Sequence, residues 1–350
     1  MQYVIVGAGL FGSVIARQLT DAGKRVVVID QRDHVGGNCS TMDQGGINVH
    51  MYGPHIFHTS DQSVWDYLNK HTTVNNFRCT PKIKVGNRLF SFPINLMTFN
   101  QLWGISTPIE ARRYLKNVVW KIHDPQNAME WAMSNVGSEL YSMFYKGYLE
   151  KQWGRSAMDI PASVIARQVV RLNYNDSYYY DTFQGVPDYT RLFESLLDGV
   201  DVRLNEKFEG AKGQLIYSGR IDEFYGFKHG TLEYRSLRFE HTTLPMDDYQ
   251  GVFMVSYPDP DREFTRIIEH KHFEFGEQEH TIITKEYPTE FTEDRIPFYP
   301  VGGERNAKIY NKYLNNDGVI FGGRLGSYKY MNMDQTIKQA LEVSKTIIDG

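Results

Sequence analysis

Apolar residues near the start of the chain come in two rhythms. "YVIV" and "RVVVID" are short continuous apolar runs suited to buried strands, and between them "SVIARQLTDAG" spaces its apolar residues near 3.6, as a helix with one inward face requires. Residues 2–30 therefore predict strand, glycine turn, helix, strand. From about 94 to 165 the rhythm is helical. "INLMTFNQLWGI" opens this stretch, and "TPIEARRYLKNVVWKI" follows with Thr107 as N-cap, Pro108 at the first helical position and Glu110 closing a capping box. A further cap is predicted at Asp124-Pro125 before "NAMEWAM", and "SELYSMFYKGYLEKQWG" reads as an aromatic-rich helix ending near Gly154.

From about 200 to 300 short alternating runs predict an antiparallel sheet: "DVRLNEKF", "TLEYRSLRFEH", "GVFMVSY", "EFTRIIEHKHF" and "HTIITKEYP". The end returns to a buried strand, a glycine-rich turn and a helix in "GVIFGGRLGSYKYMNMDQTIKQALEVSKTIID". No repeat or low-complexity segment interrupts the chain, so the first and last segments are expected to share one sheet.

Composition narrows the class. The 350 residues are 41% hydrophobic and 23% charged, which suits a soluble globular protein, and no apolar run nears the roughly 20 residues that span a bilayer. The opening "MQYVIVGAG" enters a strand without a basic lead or cleavage site, and Cys39 and Cys79 have no metal-type spacing and suit a reducing compartment. A cytoplasmic location is expected. With a net charge of −4 and scattered basic residues, neither nucleic acid nor a membrane is an expected partner. An anionic ligand must then be held by a few placed arginines.

Gly7, Gly9 and Gly12 form G-x-G-x-x-G directly after a strand and at the mouth of a helix. The first permits the tight turn, the second lets a pyrophosphate approach the backbone, and the third lets helix and strand pack closely. Asp30 ends the second strand, where a carboxylate can accept from ribose hydroxyls. Since FAD and NAD both carry an ADP ribose, the motif does not choose between them. The following "QRDHVGGNCS" does: Gly36, Gly37 and Asn38 can continue a line of backbone amides along an extended cofactor, and no second βαβ unit follows, which favours FAD. The expected fold class is α/β, a Rossmann-like FAD-binding domain with an inserted helical domain and an antiparallel β-sheet substrate domain. The expected boundaries are 1–75, 190–225 and 312–350 for the first, 94–165 for the helical domain with a mobile substrate loop at about 163–180, and 76–93 with 226–311 for the sheet domain.

Eight stretches, the two glycine turns among them, occur in one order: "VGAGLFGSVIA", "HVGGN", "YGPHIFHT", "FSFPINL", "KGYLEKQWG", "TRIIEHKHF", "PFYPV" and "GRLGSYKYMNMD". In these the chain resembles bacterial UDP-galactopyranose mutase along nearly its whole length. The resemblance implies a non-redox isomerisation of UDP-galactopyranose and UDP-galactofuranose, with FAD active when reduced. The resemblance further implies that its N5 acts as nucleophile at the anomeric carbon and displaces UDP, and that the sugar ring opens through an iminium adduct, recloses as the five-membered form and is recaptured by UDP with release of N5. It also implies UDP-galactose as small-molecule substrate and a homodimer.

Expelling a diphosphate builds negative charge on the leaving group, so fixed positive charge beside it lowers the barrier, and arginine can grip phosphate with two donors. Arg167, in "SVIARQVVR", resembles the family's arginine on the mobile loop, with Arg171 in reserve, and Arg266 resembles the one fixed on the sheet. Phe144, Tyr145, Tyr148 and Trp153 match uridine and diphosphate contacts, and Tyr178, Tyr299 and Tyr330 match diphosphate-binding phenols, which donate without adding charge. Helical spacing by itself reads Phe144 and Tyr148 as a core stripe. Arg324, Tyr330 and Met333 match the flavin-side segment, where a helix N-terminus favours an anionic reduced flavin. In "YGPHIFHT" the match makes His55 and Ile56 cofactor-binding residues and His58 the catalytic residue nearest the reactive edge of the flavin, able to influence N5.

Three positions depart from the family pattern: Cys79 and Ser256 stand where Asn is expected, and Arg220 where proline is common. No metal is expected; His270 and His272 alternate on a predicted strand without a carboxylate or cysteine nearby to complete a ligand set. A flavin oxidoreductase of the amine-oxidase or desaturase type shares the nucleotide-binding fold and stays open on fold analogy alone, as does a nucleotide-sugar binding protein without activity.

Overall fold

The computed structural model describes residues 1–166, 170–180, 182–210, 212–314 and 318–350. The chain divides into two compact units, one of residues 1–77, 181–234 and 297–350, the other of 78–180 and 235–296.

The first unit is built on a parallel sheet in the order Ile320–Phe321, Gln214–Tyr217, Gln2–Val6, Arg25–Ile29, Asp201–Arg203. The first and last segments of the chain do share it. Asp201–Arg203, read from its alternation as antiparallel, instead extends this parallel sheet beside Arg25–Ile29. Three residues are too short a run for alternation to reveal which sheet a strand joins. Helix Leu10–Asp21 packs on the sheet through Val14, Ile15 and Leu19, all fully buried, and lies along helix Met333–Asp349.

The second unit carries an antiparallel run of strands, Tyr234–Leu244 beside Thr281–Glu290 beside Arg266–Glu269 beside Met254–Ser256, to which Lys82–Val85 adds in parallel and Arg88–Ser91 follows. Its helices share one apolar core with this sheet, in which Phe90, Phe99, Leu140 and Phe144 are buried. The Thr107 capping box forms as its sequence requires: Thr107 Oγ1 accepts from the Glu110 amide at 3.4 Å and Glu110 Oε2 accepts from the Thr107 amide at 3.2 Å. The following cap is Asn127, not Asp124, because Asn127 Oδ1 accepts from the Glu130 amide at 2.9 Å while Asp124 accepts from the Gln126 side chain. The aromatic segment is not one α-helix. It runs Gly137–Leu140, a π-helical turn Tyr141–Lys146, then Gly147–Trp153, capped by Gly154 at φ 64°. A π turn rotates the side chains that follow it relative to those before, a distortion common at functional sites.

Candidate functional site

In the first unit the glycine loop turns as its spacing demands. Gly7 has φ 109°, a conformation open to glycine, and a Cβ on Gly12 would stand 2.0 Å from the Gly7 carbonyl oxygen, so no side chain fits where the helix meets the turn. Gly9 is different: its nearest neighbour to a Cβ is the Gly37 Cα at 3.8 Å. The two glycine turns are joined, since the Gly36 amide donates to the Ala8 carbonyl at 2.9 Å and Gly9 bridges Gly36. Helix Leu10–Asp21 begins at Gly9 with no side-chain cap and no acidic residue in its first turn. Its first amides are therefore left for an anion.

Asp30 is oriented by the amides of Ala8 at 2.7 Å and Arg32 at 2.9 Å. Arg32 Nη2 donates to Asn38 Oδ1 at 3.0 Å, its guanidinium lies over Tyr52, and its Nη1 is buried with no hydrogen-bond partner among the described residues. An uncapped helix start, a glycine cradle and an orphaned cationic donor beside an oriented carboxylate fit a dinucleotide.

The same unit brings in the histidine loop. The Tyr189 hydroxyl donates to the His55 carbonyl at 2.8 Å and contacts Met333 Sδ at 3.4 Å, and Cys39 Sγ reaches Met333 Sδ at 3.7 Å. Ile56 is buried, and His58 sits mid-strand in Phe57–Thr59, paired to Gln184. Gly37, Asn38, His55 and Met333 are thus linked through their neighbours. Arg324 stacks at 5.0 Å over Tyr330 and 5.7 Å over Tyr299 while donating to the Met331 carbonyl at 2.7 Å. The departure at Arg220 is absorbed locally: its guanidinium is buried against Tyr234 and pairs with the fully buried Asp222 at 3.2 Å.

In the second unit Arg266 opens a strand and pairs at 2.7 Å with Glu286, whose side chain is fully buried. A buried carboxylate at that distance fixes where the guanidinium points. Ser256 is the cross-strand neighbour of Arg266, and the Cys79 thiol, whose pKa burial pushes up, lies within the field of Arg266, which opposes that rise. Of the two expected-asparagine positions, Ser256 thus lies directly beside this arginine. The Tyr178 amide donates to the Cys79 carbonyl, and the Tyr145 hydroxyl, its pKa raised by burial and by the neighbouring Tyr178, completes the group.

Arg167 lies outside the described residues. Arg171, its reserve, donates to the carbonyls of Ser177 and, at 3.1 Å, Tyr178, so its guanidinium organises that turn. Phe144 is 1% exposed and edge-on to Phe90 at 5.4 Å, the packing of a core side chain, whereas Tyr148 and Trp153 are partly exposed.

The histidine pair of "IIEHKHF" is corrected. The strand ends at Glu269 and residues His270–Glu274 form a 3-10 turn, so the two rings do not share a strand face. His270 bonds Thr284 Oγ1 at 2.6 Å, and His272 does have carboxylates nearby, Glu269 at 3.4 Å and Asp248 at 3.5 Å, the latter brought by a distant loop. These contacts hold the His272 pKa above its ordinary value, chiefly through Glu269. Sequence reasoning also missed Glu286 and Lys151, whose partners lie far along the chain.

Fold and site together define a dinucleotide-binding α/β protein of the Rossmann-like type, and residues 5–71 match the model of the NAD(P)-binding Rossmann-like domain. Residues 143–330 match the family model described as UDP-galactopyranose mutase. A probable UDP-galactopyranose mutase from Klebsiella pneumoniae is 40% identical, with 99% of this chain and 94% of that protein covered. A dTDP-fucopyranose mutase from Escherichia coli is 39% identical over 99% of this chain and 98% of its own. A crystal structure of reduced UDP-galactopyranose mutase shares the fold at TM-score 0.78 and 14% identity, covering 99% of this chain and 94% of that one. The chain belongs to the UDP-galactopyranose mutase family, a family of isomerases.

Proposed function

We propose that the protein interconverts UDP-galactopyranose and UDP-galactofuranose without net oxidation, with FAD bound in the first unit and active when reduced. The observation that carries this is 40% identity over 99% of the chain to a probable UDP-galactopyranose mutase. The reduced flavin, when bound, supplies a nucleophilic N5 for the anomeric carbon. The chain does the rest. Arg266, held by Glu286, offers a fixed positive charge for the negative charge that builds on the departing diphosphate, which lowers the barrier only because that charge is greater in the transition state. Arg167 is assigned as the second phosphate cation. Tyr145, Tyr148, Tyr178, Tyr299 and Tyr330 supply neutral donors to phosphate, and Trp153 a flat ring for the base. Gly7, Gly9, Gly12, Asp30, Gly37 and Asn38 hold the dinucleotide; His55, Ile56, His58, Arg324 and Met333 border the flavin. The protein is assigned to the cytoplasm and to a homodimer.

A second substrate reading has its own support, since the dTDP-fucopyranose mutase is related over equal length at 39% identity. That sugar lacks the 6-hydroxyl and its base carries an added methyl group. Purified protein is incubated with UDP-galactofuranose and with dTDP-fucofuranose, each with and without dithionite, and products are separated by chromatography. Conversion of the UDP sugar to its pyranose only under reduction supports the proposal. Preference for the dTDP sugar transfers the assignment to it, and no conversion of either refutes both. Oxygen-coupled net oxidation would establish the oxidoreductase instead.

A further inference from the structure

Strands Met254–Ser256 and Arg266–Glu269 form a hairpin in which the Tyr257 amide bonds the Thr265 carbonyl at 2.8 Å. The loop between them turns its carbonyl oxygens inward onto one ammonium. Lys151 Nζ, reaching from helix Gly147–Trp153, lies 2.6 Å from the carbonyl of Tyr257, 2.9 Å from Asp259, 3.1 Å from Arg262 and 3.1 Å from Phe264. Three N–H groups face four acceptors, which is how a coordinated cation is held rather than how a surface lysine behaves. One turn earlier the helix touches the same loop: a Cβ on Gly147 would stand 2.0 Å from the Pro258 carbonyl oxygen. Gly147 and Lys151, four apart, thus form one docking face. The other end is held as well, because Arg235 donates from Nε to the Gln152 carbonyl at 3.1 Å, taking up an acceptor that a helix C-terminus leaves open.

This helix bears Tyr148 and Trp153, and the hairpin loop runs directly into Arg266. We propose that Lys151 is a positioning residue whose ammonium, ringed by four main-chain carbonyls, sets the placement of the Tyr148 and Trp153 helix relative to the strand that begins at Arg266. The inference rests on the reading of those residues as nucleotide and diphosphate contacts. Core packing joins Leu149 to the sheet through the cluster that holds Ile83 and Phe90, whereas Gly147 and Lys151 meet the hairpin loop itself. Burial draws the Lys151 pKa down to about 8, Arg262 adds to that, and Asp259 and Asp261 oppose it. Such a charge is retained against its desolvation by the carbonyls around it.

The test compares the wild type with Lys151→Met, which keeps the length and removes the charge, and Lys151→Arg, whose flat fork cannot place one nitrogen among four converging oxygens. Hydrogen exchange over residues 254–269, UDP affinity by calorimetry, kcat and KM under reduction, flavin content and denaturation midpoint are measured. Expected are faster exchange confined to residues 257–266, UDP binding weakened about tenfold and kcat lowered by up to about 100-fold, as a misplacement near 1 Å produces, with flavin content unchanged. Lys151→Arg, retaining charge and fold, is expected to show the same pattern in weaker form. Unchanged exchange and kinetic constants within twofold in either folded variant overturn the proposal. If the wild type fails to bind UDP the functional reading falls, while exchange over the loop still decides whether Lys151 holds it.

Discussion

Gly12 offers a test that separates packing from cofactor binding. Changed to alanine, it places a carbon 2.0 Å from the Gly7 carbonyl oxygen and 3.1 Å from Ile5 Cγ2. A carbon and a carbonyl oxygen rest no closer than about 3.3 Å, so helix and turn must separate by roughly 1.3 Å. Helix Leu10–Asp21 cannot yield freely, because Val14, Ile15 and Leu19 are fully buried on its inner face. Overpacking of this kind costs about 1–3 kcal/mol. The same shift withdraws the helix's first amides from a pyrophosphate. Gly12→Ala is therefore expected to lower the denaturation midpoint and to purify with less flavin per chain. Gly9→Ala is the contrast: its φ of −79° suits alanine and the nearest atom is 3.8 Å away, so stability should hold while flavin is lost. Gly23→Ala, in open space at φ 70°, should cost only about 1 kcal/mol of backbone strain and leave flavin content alone. Full flavin and an unchanged midpoint in Gly12→Ala would refute the reasoning, and so would normal flavin in Gly9→Ala.

Other expectations follow from single contacts. Arg266→Ala should cut turnover about 100-fold or more with flavin retained, as loss of a transition-state donor does, and unchanged turnover removes Arg266 from the reaction. Arg171→Ala should mainly lower the melting midpoint, because its guanidinium bonds the carbonyls of Ser177 and Tyr178; a large loss of turnover at an unchanged midpoint would make it the phosphate cation in place of Arg167. Buried His270 is held down to about pKa 3 by desolvation, with His241 adding and Glu269 opposing, against the usual 6.5. Between those values the unfolded chain binds the extra proton, so stability rises with pH across the window and is lost as pH falls below about 6.5, by up to roughly 1.4 kcal/mol per pH unit. Denaturant titrations from pH 4 to 7 should show a shallower slope in His270→Gln than in the wild type; parallel slopes would contradict the assignment.

Local signals in the chain were legible where the responsible atoms are neighbours in sequence. The box of Thr107 and Glu110 joins residues three apart, the cap at Gly154 is one left-handed residue, and the turn at Gly7 is set by its own φ. Each depends on backbone geometry within one turn of helix. Where two nearby residues could serve equally, local reading failed, as with Asp124 and Asn127. The short run Asp201–Arg203 carried too few residues to announce a parallel partner, and a π turn at Tyr141–Lys146 leaves no periodicity of its own in six residues.

Sequence by itself determined the dinucleotide loop, the helical and sheet-forming segments, and which residue types could meet a diphosphate, because these follow from φ preferences, apolar period and side-chain chemistry. Tertiary structure alone decided that Arg266 has Glu286 as its partner twenty residues on, that Arg171 is committed to a turn, and that Lys151 is ringed by carbonyls more than a hundred residues away. A charged side chain carries no mark of its partner. It takes whichever group the fold brings within about 3 Å and shields from water, and that choice belongs to strand pairing and helix docking across the chain.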